Sequence, residues 1–122
     1  MAEFGRRIRP FVDAELAVAA ECERRGEGGA AFNHLERAHV LGQASTREHV
    51  RVHLKMLRWA IRDRNGTEIA GQPIRIAGAA AVTAIGLVPT GNTGGARVKA
   101  WRRLEVPPDL AELISRARAP RP

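Results

Sequence analysis

The histidines are the residues of this sequence with the clearest chemical potential. There are four, His34, His39, His49 and His53, and they cluster in one short stretch. Neutral imidazole binds Zn, Fe, Cu and Ni well. His49 and His53 are four residues apart, so on a helix they share one face and can hold one ion together. This spacing makes them the first candidates for metal ligands.

Four further residues complete the set of candidate ligands, in the order His39, His34, Glu15 and Cys22. Glu15 lies among apolar residues of a predicted helix, where an unpaired carboxylate is costly, so it needs an arginine, a histidine or a metal ion. Cys22 ranks last, because a lone cysteine without a surrounding motif is more often an apolar core residue. The alternative is that carboxylates and backbone groups satisfy each histidine separately. The sequence contains neither HExxH nor CxxC.

Local signals predict the helices that carry these residues. A first helix spans about 10–25, with Pro10 in its first turn and Gly26 just after its end. A second spans about 30–41 and ends at Gly42. On this helix His34 and His39 fall near opposite edges of the apolar arc, about 140° apart.

The third helix begins at a capping box in which Ser45 is the N-cap and Glu48 reaches back, and it continues to about Arg64. His49 and His53 lie within its apolar arc, about 40° apart. Helices two and three are therefore expected to form an antiparallel hairpin over about 30–64, with histidines from both turned toward a shared interior.

The pattern of residues in the remainder of the chain predicts two more helical segments. One spans about 67–87, with Pro73 kinking it or starting a new helix. Within it the Ala-rich run 76–88 is apolar all round, which indicates a buried helix or a homo-oligomer contact. A last helix spans about 109–118. The glycine-rich loop at 92–95 could cradle a phosphate, connect two helices or cap one, and the sequence does not decide between these roles.

These elements predict an all-α domain of four to five helices, bundle-like, covering 10–118. Residues 1–9 are expected to form a flexible basic arm and 119–122 a disordered tail. A chain of 122 residues is long enough for one domain with a real core, and its 44% hydrophobic content excludes disorder for the body of the chain.

The net charge of +7 raises the question of a nucleic-acid partner. Only Lys55 and Lys99 of the 20 basic residues are lysine, and the arginines are spread without a run, which makes nucleic acid an unlikely partner. The single cysteine excludes an intramolecular disulfide. No export signal and no membrane-length apolar run is evident, so we expect a soluble cytoplasmic protein.

Several motifs resemble a bacterial family of unknown function, domain of unknown function 3703. The matching segments are 34–43, 49–53, 56–59, 89–95 and 107–110, and the resemblance covers about residues 10–115. It implies a short, soluble, helical bacterial protein and no particular activity. The run 35–39 also resembles a tetratricopeptide helix, although no repeat of 34 residues accompanies it.

Two functions remain open from the sequence. The first is binding of a transition-metal ion (Zn, Fe, Cu or Ni) by the inward-facing histidines, for storage, sensing or catalysis. The second is a metal-free helical interaction module that holds an acidic partner on an arginine-rich face.

Overall fold

The computed structural model describes residues 2–84 and 105–119, and within these ranges the chain forms five α-helices and no strand. The helices are α1 Ala2–Arg24, α2 Gly28–Gly42, α3 Thr46–Arg62, α4 Gly66–Ala84 and α5 Pro108–Arg118. They pack as a bundle, so the prediction of an all-α domain is confirmed. None of the described helices is both long enough and apolar enough to cross a bilayer.

Helix α1 begins at Ala2, not at Pro10, so residues 2–9 extend the first helix. Pro10 lies inside the helix and cannot donate the backbone hydrogen bond of its turn. Burial compensates, because Phe4 and Ile8 from the preceding turns belong to the hydrophobic core. The guanidinium of Arg7 also donates a hydrogen bond to the carbonyl oxygen of Ala117 in α5.

The turn between α1 and α2 contains Gly26, the glycine predicted to lie just after the first helix. Gly26 has a φ of 73°, a conformation that residues with a Cβ rarely adopt. Glu27 N–H then donates to the carbonyl oxygen of Cys22 at 2.9 Å. The short connection folds α2 back along α1, and these two helices share an extensive contact.

The connection between α2 and α3 brings the end of one helix close to the start of the next. A Cβ at Gly42 would lie 2.9 Å from the Cβ of Glu48, so the close approach requires glycine. Ser45 is the N-cap, as predicted, and its hydroxyl accepts from Glu48 N–H at 3.5 Å. The carboxylate of Glu48 accepts two hydrogen bonds from Arg51.

Helix α4 packs against α3 alone among the described helices. It continues through Pro73 as one helix, and Ile74 is 76% exposed. Of the predicted buried helix over 76–88, residues 76–84 form the last part of α4, where Ile76 is half-buried and Ala77 is exposed. Residues 85–88 and the 92–95 loop lie outside the described residues. The contact between copies remains a prediction.

Candidate metal centre

Three of the four histidines meet in the interior of the bundle. His39 is 3% exposed, His49 7% and His53 2%. The Nε2 atom of His39 lies 2.9 Å from Nε2 of His49 and 3.1 Å from Nε2 of His53. Among the described residues these three side chains form a group whose ligand atoms all lie within 4.8 Å of one another. The three imidazoles therefore lie close enough together to hold one metal ion.

Two helices position this histidine triad, defined as His39, His49 and His53. His39 lies in the last turn of α2, and the short α2–α3 connection places it beside the first turns of α3. His49 and His53 are one turn apart on α3 and so present their rings to the same side. The ring of His39 stands edge-on to both others, at 70° and 69°.

Helix α4 fixes the orientation of one ring through a buried relay. The amide nitrogen of Gln72 donates to Oε2 of Glu68 at 2.7 Å, and the amide oxygen lies 2.6 Å from Nδ1 of His53. An amide oxygen can only accept, so His53 carries its proton on Nδ1. Its Nε2 lone pair therefore faces His39. A partner of this kind on the outer nitrogen is usual for metal-binding histidines.

Burial keeps the α3 histidines neutral. Burial, together with a smaller effect of the neighbouring His53, lowers the pKa of His49 to about 3. Burial also lowers the pKa of His53 to about 4. The hydrogen bond to Gln72 raises this pKa, and the charge of Arg75 lowers it. Both imidazoles are thus in the neutral form at pH 7, the form in which they bind metals.

The structure places the other two leading candidates in a separate cluster. Nδ1 of His34 lies 2.7 Å from Oε2 of Glu15, while Nε of Arg37 donates to Oε1 of the same carboxylate at 2.9 Å. Arg37 also bonds Asp109 on α5. The partner that Glu15 requires is therefore a histidine and an arginine, and the cluster joins α1, α2 and α5.

Cys22 lies on α1, where it is half-buried and packs against the hydrophobic core. It is not part of the group formed by the triad. The structure thus gathers His39, His49 and His53 and leaves His34, Glu15 and Cys22 elsewhere.

Glu68 and Gln72 are site residues that sequence reasoning missed. They are 3% and 0% exposed, which is unusual for a carboxylate and an amide. Their spacing of four residues puts them on one face of α4, and this could have marked a polar contact with another helix. The identity of that contact depends on how α4 packs against α3.

Gln72→Met is expected to weaken metal binding by about 10- to 100-fold, because it removes the acceptor for His53 Nδ1–H while keeping a side chain of similar length. The measurement is a competition titration of the metal-free variant against a chromophoric chelator. Full occupancy should still be reached at high metal concentration, since the three imidazoles remain. Wild-type affinity in this variant would show that the relay has no part in holding the ring.

The fold and the site define a small helical protein with a buried triad of histidines. The chain belongs to the family of proteins of unknown function DUF3703, which it matches over residues 6–114. This range includes the whole triad as well as Glu68 and Gln72, and it confirms the resemblance seen in the sequence. No curated protein and no solved structure gives a significant match.

Proposed function

We propose that this protein binds one transition-metal ion through His39, His49 and His53, with Zn, Fe, Cu and Ni as the candidates that imidazole favours. The observation that carries the proposal is the convergence of three buried Nε2 atoms, with His39 at 2.9 and 3.1 Å from the other two.

The spacing of the nitrogens fits a shared ion. Two nitrogens bound at about 2.1 Å to a tetrahedral ion lie roughly 3.4 Å apart. The separations from His39 are a few tenths of an ångström below that value, a difference that small rotations of the imidazole rings can supply. A metal ion would therefore spread the triad slightly without moving its helices.

The positions of the protons on the imidazole rings also favour a metal ion between the three histidines. His53 directs an Nε2 lone pair at His39, because its own proton is on Nδ1. A proton on Nε2 of His39 would be shared between the two neighbouring nitrogens, at 2.9 and 3.1 Å. A metal ion accepts a lone pair from each of the three rings simultaneously, which makes it the better partner for this arrangement.

Three histidines leave one position of a four-coordinate ion for an exogenous ligand. Structural zinc sites have four protein ligands, whereas catalytic ones have three and a water molecule. Among the described residues no carboxylate or thiolate joins the triad. We propose that the fourth position takes water or another small molecule, an arrangement suited to sensing or to metal-assisted hydrolysis.

Metal analysis of protein made without an affinity tag tests this proposal. We expect elemental analysis to find about one metal ion per chain, and metal-free protein to regain it and to melt at a higher temperature when the metal is restored. The cobalt(II) form should show the strong visible absorption of a four-coordinate ion, which shifts when azide is added. Less than a tenth of an equivalent, with no thermal stabilisation by any of the four metals, would refute the proposal.

A further inference from the structure

The outer face of α3 carries cations that the described part of the chain does not neutralise. Lys55 and Arg58 are exposed, and neither makes an ion pair within residues 2–84 and 105–119. Two other arginines of the same helix are paired. Arg51 bonds Asp13 and Glu48, and Arg62 lies 3.1 Å from Glu23.

A cavity lies beside these cations, in the groove between α1 and α3. It has a volume of about 330 Å³. Its apolar lining consists of Leu16, Ala19, Ala20 and Leu35. Lys55, Arg58 and Arg62 line its α3 side, and Glu23 and Arg24 complete its α1 side. The groove therefore has an apolar floor, and its charged rim carries four cations and the carboxylate of Glu23, which pairs with Arg62.

Exposed apolar side chains continue this surface along α3. Leu54 is 51% exposed and Ile61 60%. They are seven residues apart, which places them on the same side of the helix, and Arg58 lies between them in sequence and on the helix surface. The surface thus combines apolar anchoring points with positive charge over two turns of α3.

We propose that the groove between α1 and α3 binds an acidic amphipathic helix of a partner protein. Apolar side chains of that helix would enter the cavity over Leu16 and Ala20, and its flanking carboxylates would pair with Lys55 and Arg58. Laying an apolar helix face in a groove is a common mode of peptide recognition. Complementary charge would add specificity and speed to the encounter.

The composition of the groove favours this occupant over two others. Single-stranded nucleic acid uses aromatic side chains for stacking, and the described residues that line the cavity include no aromatic one. A second copy of this chain would bring another charge of +7 to a cationic surface, which opposes self-association there. The groove shares no residue with the histidine triad, so this proposal does not depend on metal binding.

The test uses fluorescence anisotropy with two labelled synthetic helices. Both carry leucine along one face, and one has glutamate and the other lysine on the flanks. We expect the full-length protein to bind the glutamate peptide, more weakly as salt is raised, and not the lysine peptide. Failure to bind the glutamate peptide at low salt would overturn the proposal.

Charge reversal locates the binding surface. In Lys55→Glu/Arg58→Glu, affinity for the glutamate peptide should fall at least about tenfold and the lysine peptide should begin to bind. Arg6→Glu/Arg9→Glu makes the same change in net charge on exposed positions of α1 outside the groove, and should bind like wild type. Equal losses in the two double variants would overturn the proposal, as would tighter binding of a single-stranded DNA oligonucleotide that the groove variant abolishes. Circular dichroism checks that both variants keep their helices.

Discussion

Replacing His49 and His53 together by alanine is expected to reduce bound metal from about one equivalent per chain to less than about a tenth. The double variant retains only His39 of the triad, and one imidazole does not hold an ion against water and buffer. Elemental analysis after removal of loosely bound metal measures the change. The melting temperature of the variant should no longer rise when metal is added, because the metal then has no preference for the folded state.

The chain offers a matched control for this experiment. His34→Ala removes an imidazole of the same stretch that pairs with Glu15 outside the triad. We expect it to keep its full metal content, although the loss of the His34–Glu15 contact should lower its stability. His39→Ala tests the contribution of α2 and should lose most of its affinity. If His34→Ala lost its metal while the double variant kept it, the ligands would lie in the Glu15 cluster and the proposed centre would be wrong.

Lowering the pH from 7 to 4 is expected to destabilise the metal-free protein by an amount on the order of 5 kcal/mol. The histidines of the unfolded chain have a pKa near 6.5 and take up protons below that pH. In the folded protein burial lowers the pKa of His49 to about 3 and that of His53 to about 4. Proton uptake by the unfolded chain therefore leaves stability unchanged above about pH 6.5 and favours unfolding increasingly as the pH falls toward 4.

Urea unfolding followed by circular dichroism at pH 7, 6, 5 and 4, with a chelator present, measures this loss. The control is His49→Gln/His53→Gln, which keeps polar side chains at both positions but cannot titrate. Its free energy of unfolding should depend much less on pH between 6.5 and 4. An equally steep decline in the control would assign the acid sensitivity to carboxylates and not to the triad.

Much of the local structure follows from short-range signals. Ser45 caps α3 because its hydroxyl can accept from an N–H of the first turn, and Gly26 ends the first helix because it adopts a positive φ. The period of the α3 pattern puts His49 and His53 on one buried face. These features depend on residues within a few positions of each other, so the sequence predicts them directly.

The start of α1 shows where local signals are insufficient. Pro10 predicts the first turn of a helix at that position. The helix begins at Ala2 instead, because Phe4 and Ile8 bury their side chains in the core. The stabilisation from that burial comes from residues distant in sequence. It outweighs the hydrogen bond that Pro10 cannot make.

The sequence by itself determined an all-α chain and placed His34 and His39 near opposite edges of one helix face. Only the tertiary structure decided which of the two joins His49 and His53. Packing of α1 on one side of α2 gives His34 a carboxylate partner in Glu15, and His39 meets the α3 histidines across the short α2–α3 connection. Packing of α4 on α3 then supplies Gln72 and Glu68. A helix period specifies a direction around an axis, but the neighbour met in that direction depends on how whole helices pack.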